Sequence, residues 1–303
     1  MTTTISDTGR LLVLNKDEHT VSFIRCDTGE TIKKLDMDKD PHEVIVTPDG
    51  ATSYVANAVG KTVAVIDNVE MTVRETFTHP EFAFPHGVDL DDDGNLWLAS
   101  TVANKVFVIS TPDHEFLDVI PTGQRFSHMI AFTPDKKLVY VPNIASNTIT
   151  IIDVATRKVV KHLLVGNGPE GVAVHPGGEF VYVAAQHEDL VQVFSTSTHE
   201  MIARESIGSL PVRMAFTVDG RYAFVPNRYS KDVSVLDTSS HREIARISIG
   251  IWPGGIVFEP SGRYAYVANN KTNDVSVIDV AAFTEIARHR AGIHPDGIAY
   301  IPS

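Results

Sequence analysis

Counting from Pro41, the same pattern starts again at Pro85, Ser127, Pro169, Pro211, Pro253 and Pro295, at intervals of 44, 42, 42, 42, 42 and 42 residues. A period of this size restricts the chain to repeat architectures, in which each unit is a supersecondary module that buries its apolar face only against its neighbours. Within a unit the grammar is that of β-structure. Val44 and Val46 alternate with their neighbours, Pro48-Asp49-Gly50 reads as a tight turn, and Ser53–Ala56 forms a second strand. A polar loop (Asn57 to Lys61) leads to a third strand, Thr62–Asp67, and a weaker fourth follows, as in Lys158–Leu164. Four short strands per unit without helical periodicity predict an all-β fold, a seven-bladed β-propeller of four-stranded blades.

The two ends of the chain complete the count. The last unit breaks off at Tyr300-Ile301-Pro302-Ser303, which matches Phe258-Glu259-Pro260-Ser261. The pattern resumes at the beginning, where Gly9-Arg10 matches Gly262-Arg263 and Thr20–Ile24 matches Asp274–Ile278. Residues 1–303 therefore read as a single propeller domain. Its seventh blade is shared by residues 295–303 and 1–38, so that the C-terminal strand joins the N-terminal strands and closes the ring.

Tyr54-Val55-Ala56-Asn57, Tyr140-Val141-Pro142-Asn143, Phe224-Val225-Pro226-Asn227 and Tyr266-Val267-Ala268-Asn269 recur at one position of the unit, with Tyr182-Val183-Ala184-Ala185 as a degraded copy. These motifs resemble the YVTN family of β-propeller repeats, and the resemblance covers essentially the whole chain. It implies the architecture. The family spans surface-layer proteins, enzyme subunits and binding proteins, so it implies no one activity.

Composition narrows the partners. A net charge of -12 is the wrong sign for neutralising phosphates, which argues against nucleic acid and against anionic membranes. The lone Cys26 permits no intrachain disulfide, and its setting at the end of Phe23-Ile24-Arg25 is that of an ordinary strand. The N-terminus lacks the basic and apolar regions of a signal peptide, and no apolar run is long enough to span a bilayer. The expectation is a cytoplasmic protein, or a periplasmic or secreted one if a signal has been removed. A closed ring needs no partner to cover its edges, so a monomer is expected, with a protein partner left open.

The repeat also supplies an internal control, because a position that departs from its equivalents is not explained by the fold alone. The residue after each leading residue reads His42, His86, His128, Glu170, Val212, Gly254 and Asp296 around the ring. Innermost strands line the axis, so these residues should meet at one mouth of the central channel. Three histidines on adjacent blades predict a ligand set for a transition metal, Zn, Fe, Cu or Ni, with open positions for water and substrate. Glu170 and Asp296 are the candidate catalytic acid–base groups. Asp89 stands where the other units carry small or apolar residues, and is expected to support His86 from behind. Trp252, His294, Phe84 and Phe126 from the loops leading into the innermost strands, with His187, Arg228 and Tyr229 from the loops between second and third strands, are expected to line the substrate pocket. Arg213, one residue inside the entry strand, is the candidate anchor for a substrate carboxylate or phosphate.

Asp89-x-Asp91-x-Asp93-Gly94 has calcium-loop spacing, but Asp93-Gly94 aligns with the normal turn and Ser100 stands where a bidentate Glu is needed. His114, His199 and His241 recur in the turn between third and fourth strands, on the opposite face, and read as turn residues. The expectation for function is a metal-dependent enzyme acting on a small organic molecule at the channel mouth, by hydrolysis, isomerisation, lyase or oxygenase chemistry. The alternative is a non-catalytic propeller scaffold or ligand-binding protein.

Overall fold

The computed structural model describes residues 5–303, and Met1–Thr4 lie outside it. Seven four-stranded antiparallel sheets form the ring, and no helix occurs among the described residues. Consequently no helix there is long and apolar enough to cross a membrane.

Each blade is built by the same local devices. At the first hairpin Thr47 Oγ1 donates to Asp49 Oδ1, the Ala51 N–H donates to the same oxygen at 3.0 Å, and Gly50 takes φ 74°. A left-handed residue is what this tight turn requires, and glycine adopts it without steric cost. At the end of the second strand the motif asparagine is buried and stitches the second strand to the third. Asn143 Nδ2 donates to Thr150 Oγ1 at 2.8 Å, and Asn227 and Asn269 bond Ser234 and Ser276 in the same way. The motif that recurs in the sequence is therefore a structural clip.

The core is divided into wedges between blades. Trp97 and Val106 of one blade, for example, pack on Phe132 and Val139 of the next. The outermost strands are the most solvated, as in Thr72–Phe77, and cover the sheet edges. Near the axis the strands approach backbone to backbone: a Cβ on Gly87 would stand 2.5 Å from Met129 Cα and 2.7 Å from His128 O.

The ring closes as the sequence predicts. Pro295–Ile301 pairs antiparallel with Arg10–Asn15, with Leu12 opposite Ala299 and Val13 opposite Ile298. Asp7 secures the seam: its carboxylate accepts hydrogen bonds from Tyr266 and Tyr300, both at 2.7 Å, and from the Gly9 N–H at 2.8 Å. Cys26 is buried in the same seam, and burial pushes its thiol far above the ordinary range, so it is an inert core residue.

Candidate functional site

The innermost strands are irregular at one level in every blade. The ladder shifts register between Pro41 and Glu43, between Pro85 and Val88, between Pro169 and Val172, and between Pro253 and Ile256. Where His128 and Arg213 stand, the innermost strand shrinks to the pairs Ala131–Phe132 and Ala215–Phe216. Bulges re-aim side chains, and here they release the residue after the leading one from the blade plane.

The residue before the leading one is left-handed in every blade. Asp40, Phe84, Phe126, Leu210, Trp252 and His294 have φ between 58° and 62°, and Gly168 has 67°. Only the glycine adopts this without strain. The other six each carry roughly 1 kcal/mol of backbone strain, as do the left-handed residues of the other blade turns, such as Met71, Arg157 and Phe283.

Inside this rim the rings of the three histidines lie side by side. The ring centroids of His42 and His86 are 4.5 Å apart, and those of His86 and His128 are 3.7 Å apart with an interplanar angle of 26°. Phe84 lies against both, 5.7 Å from His42 and 6.0 Å from His86. His86 is fully buried and neither ring nitrogen has a hydrogen-bond partner. Burial first, then the charges of neighbouring groups, holds the His86 and His128 imidazoles well below their ordinary pKa, so both are neutral. His128 Nδ1 pairs with Thr101 Oγ1 at 3.1 Å. His42 differs, because its Nδ1 is 3.3 Å from Asp40 Oδ2 and its Nε2 is 3.7 Å from Asp296 Oδ2.

The stack bears directly on the expected metal centre. A metal about 2 Å from a ring nitrogen lies in the plane of that ring. Rings with centroids 3.7 Å apart and planes inclined at only 26° have planes that meet well beyond that reach, so His86 and His128 as arranged do not aim at one ion. Among the described residues no three His, Cys, Asp or Glu side chains are disposed to hold a metal. The residues converge, but not as the ligand set that was expected.

Two charged groups flank the histidines. Asp296 is fully buried; burial would raise its carboxyl, but His42, Lys16, Arg228 and Arg213 outweigh this and hold it well below the usual carboxylate range. Lys16 Nζ is 3.2 Å from Asp296 Oδ2, Arg228 Nη2 is 3.9 Å from Oδ1, and Asn270 Nδ2 donates to Oδ2 at 3.4 Å. Arg213, only 6% exposed, forms the second group. Its Nε donates to Glu43 Oε1 at 3.0 Å, Nη2 also engages Glu43, and Nη1 donates to Glu170 Oε1 at 3.1 Å. Glu43 and Arg213 belong to non-adjacent blades, so the bridge crosses the axis.

This placement corrects several sequence expectations. Arg213 is pinned by two carboxylates rather than free to anchor a substrate anion, and Glu170 is its counter-ion. Asp89 does not reach His86. Three residues of extended chain carry it about 10 Å further along the strand, where Lys136 Nζ is 3.7 Å away. Asp91 holds the Asn95 N–H and Trp97 Nε1, so the acidic run braces its own turn. On the rim, Trp252 has Tyr229 at 6.2 Å, Lys271 Nζ at 5.0 Å and the Arg228 guanidinium at 5.8 Å from its ring. His294 pairs with Asp17, while His187 and Phe126 are exposed.

Glu43, Asp40, Lys16 and Asn270 were missed. The same internal control contains three of them. Lys16, Arg228 and Asn270 all follow a motif asparagine, where other blades carry Ala58, Ile144 or Gln186, and Glu43 replaces the glycine of Gly87, Gly171, Gly255 and Gly297.

Fold and site together define a seven-bladed propeller whose buried charge gathers at one mouth of its axis. The family model described as "Lactonase, 7-bladed beta-propeller" matches residues 103–218 and 127–289, and the chain belongs to this family. The YVTN resemblance rests on the motif alone. No curated protein matches the chain. Among solved structures it is similar to a functionally unknown protein from Desulfotomaculum acetoxidans, with 16% identity, a TM-score of 0.84 and coverage of 97% of this chain and 99% of that one. A candidate 6-phosphogluconolactonase from Bacteroides fragilis gives 17%, 0.81, and 99% of both chains. The hydrazine synthase of Kuenenia stuttgartiensis gives 21%, 0.79, and 93% and 98%. At such identities the likeness is one of fold.

Proposed function

We propose that the protein is a hydrolase of small cyclic esters, acting at the channel mouth with His42 as its general base. One observation carries this reading: His42 is held on Nδ1 by Asp40 and has Nε2 facing a buried, ionised Asp296, beside two neutral imidazoles. The family's description and the similarity to a candidate lactonase support the substrate class.

A carboxylate on Nδ1 fixes the imidazole tautomer and leaves Nε2 to take a proton. In the proposed reaction His42 Nε2 removes a proton from water as the hydroxide attacks the lactone carbonyl. The tetrahedral oxyanion is met by the cations Lys16 and Arg228. The ring C–O bond then breaks, and the leaving oxygen takes the proton back from His42. The water is thus divided between the new carboxyl group and the released hydroxyl. Phe84, beside His42, and Trp252, beside Arg228, offer apolar surface.

The test is proton release from γ- and δ-lactones. Turnover by the wild type that falls at least ~100-fold in His42→Gln, with the fold intact, is expected. Unchanged turnover in the variant overturns the assignment.

A transition-metal centre on His42, His86 and His128 is the second reading, favoured by the two unpartnered nitrogens of His86. It requires the His86 ring to leave its stack on His128. Elemental analysis of untagged protein and of the triple alanine variant separates the readings: an equivalent of Zn, Fe, Cu or Ni lost with the histidines supports the metal.

A further inference from the structure

Four places after the motif asparagine, or the residue aligned with it, every blade has a left-handed residue. His19, Lys61, Asn104, Asn147, Asp189, Lys231 and Asn273 take φ between 54° and 60° there. In five blades the side chain accepts the backbone N–H of the left-handed residue that precedes the next blade's innermost strand. Asn104 Oδ1 holds Phe126 N–H at 2.7 Å, and Asn147 Oδ1 holds Gly168 N–H at 3.1 Å. Asp189 Oδ1 and Asn273 Oδ1 hold Leu210 and His294 N–H, both at 2.9 Å. His19 Nδ1 holds Asp40 N–H at 3.2 Å. The other two blades carry Lys61 and Lys231, whose ammonium groups have no acceptor to offer.

This latch is part of the repeat, and its one imidazole stands at the blade that carries His42. The residue it holds, Asp40, sets Oδ2 3.3 Å from His42 Nδ1. His19 Nδ1 is also 2.9 Å from the carbonyl oxygen of Lys16, whose Nζ reaches Asp296 at 3.2 Å. One nitrogen does not serve both neighbours. Bare, Nδ1 accepts from Asp40; protonated, it donates to the Lys16 carbonyl and leaves the Asp40 N–H without its acceptor. An asparagine latch has no second state, and a carboxyl at Asp189 keeps an acceptor oxygen even when protonated. Histidine is the side chain that makes this exchange around neutral pH.

The charges around the imidazole are otherwise engaged. On its own loop Asp17 pairs with His294 and Glu18 with Lys34. On the facing segment Asp38 accepts from Thr62 Oγ1, and Asp36 and Lys39 complete the charges there. The His19 carbonyl accepts Met37 N–H at 2.9 Å, so the backbone on both sides of the latch is held while the ring exchanges partners.

We propose that His19 is a positioning residue for His42: its bare Nδ1 latches the Asp40 backbone, and with it the carboxylate that orients His42, and its protonation releases both. The effect on turnover rests on the hydrolase reading, whereas the effect on Asp40 does not.

Two measurements on the full chain test it. The first follows the Asp40 backbone amide by heteronuclear NMR between about pH 8 and 5. In the wild type its resonance is expected to follow the titration of the His19 ring. In His19→Asn, which installs the latch of the other blades, that component is expected to vanish. The second follows lactone turnover. His19→Ala is expected to lower the plateau kcat about ten-fold with KM unchanged, and His19→Asn to restore it. The acid limb of kcat is expected to fall with two protons in the wild type and with one in His19→Asn. An Asp40 amide that ignores protonation of His19, or an alanine variant as active as the asparagine variant, would overturn the proposal. An amide that follows His19 in a protein that opens no lactone keeps the latch and loses the hydrolase reading.

Discussion

The Tyr182 hydroxyl and His241 Nδ1 lie 2.6 Å apart and tie the second strand of one blade to the outer turn of the next. Tyr54 with His114 and Tyr140 with His199 are set beside each other in the same way, at ring-centroid distances of 6.3 and 6.4 Å, but without that hydrogen bond. The recurring turn histidines thus sit on the face expected from the sequence, and they also join blades. Tyr182→Phe should lower stability by about 1 kcal/mol in urea unfolding. No change would show that the bond contributes nothing.

Burial depresses the His86, His128 and His241 pKa values in the folded protein. The unfolded chain therefore binds more protons as pH falls below the ordinary histidine value of about 6.5. Stability from these groups is present above that pH and is lost as pH falls towards the depressed folded values. Denaturant midpoints measured between pH 8 and 4 should decline on the acid side, and less steeply in His86→Leu. The same variant removes two unpartnered nitrogens and should gain about 1–2 kcal/mol at neutral pH. A loss instead would mean that His86 is satisfied by bound water.

Arg213 neutralises Glu43 and Glu170 in a nearly dry setting. Arg213→Met leaves both carboxylates uncompensated and should cost about 3–5 kcal/mol. Adding Glu43→Gln should recover part of that loss. Strict additivity in the double-mutant cycle would show that the bridge across the axis carries no coupling.

Phe126 is left-handed at φ 60° and 45% exposed. Phe126→Gly should raise stability by up to about 1 kcal/mol through relief of backbone strain. If stability falls, the side chain makes contacts that outweigh the strain.

The architecture was legible because its determinants are local: the Asp49-Gly50 turn, the period-two strands and the asparagine clip all act within a few residues. The meeting of His42, His86 and His128 was legible for a related reason, since equivalent positions of a closed ring face one axis. Ring orientation was not. Whether two imidazoles stack or aim at one point depends on side-chain torsions that the repeat does not encode. The partner of Arg213 was hidden likewise, because Glu43 lies across the channel at a separation of 170 residues. Asp89 was misassigned because nearness in sequence to His86 outweighed the length of extended chain between them.

Six blades are each drawn from one continuous stretch of chain, whereas the seventh joins Tyr300 to Asp7 over 293 residues. Loop closure over such a span is entropically the costliest pairing in the molecule and should be made late in folding. Until it forms, the molecule is an open arc with an unpaired strand at its seam, and the mouth has no fixed circumference. Asp296 lies on that last strand, whereas Arg228 and Asn270 lie on earlier blades, so the site is complete only when the ring locks.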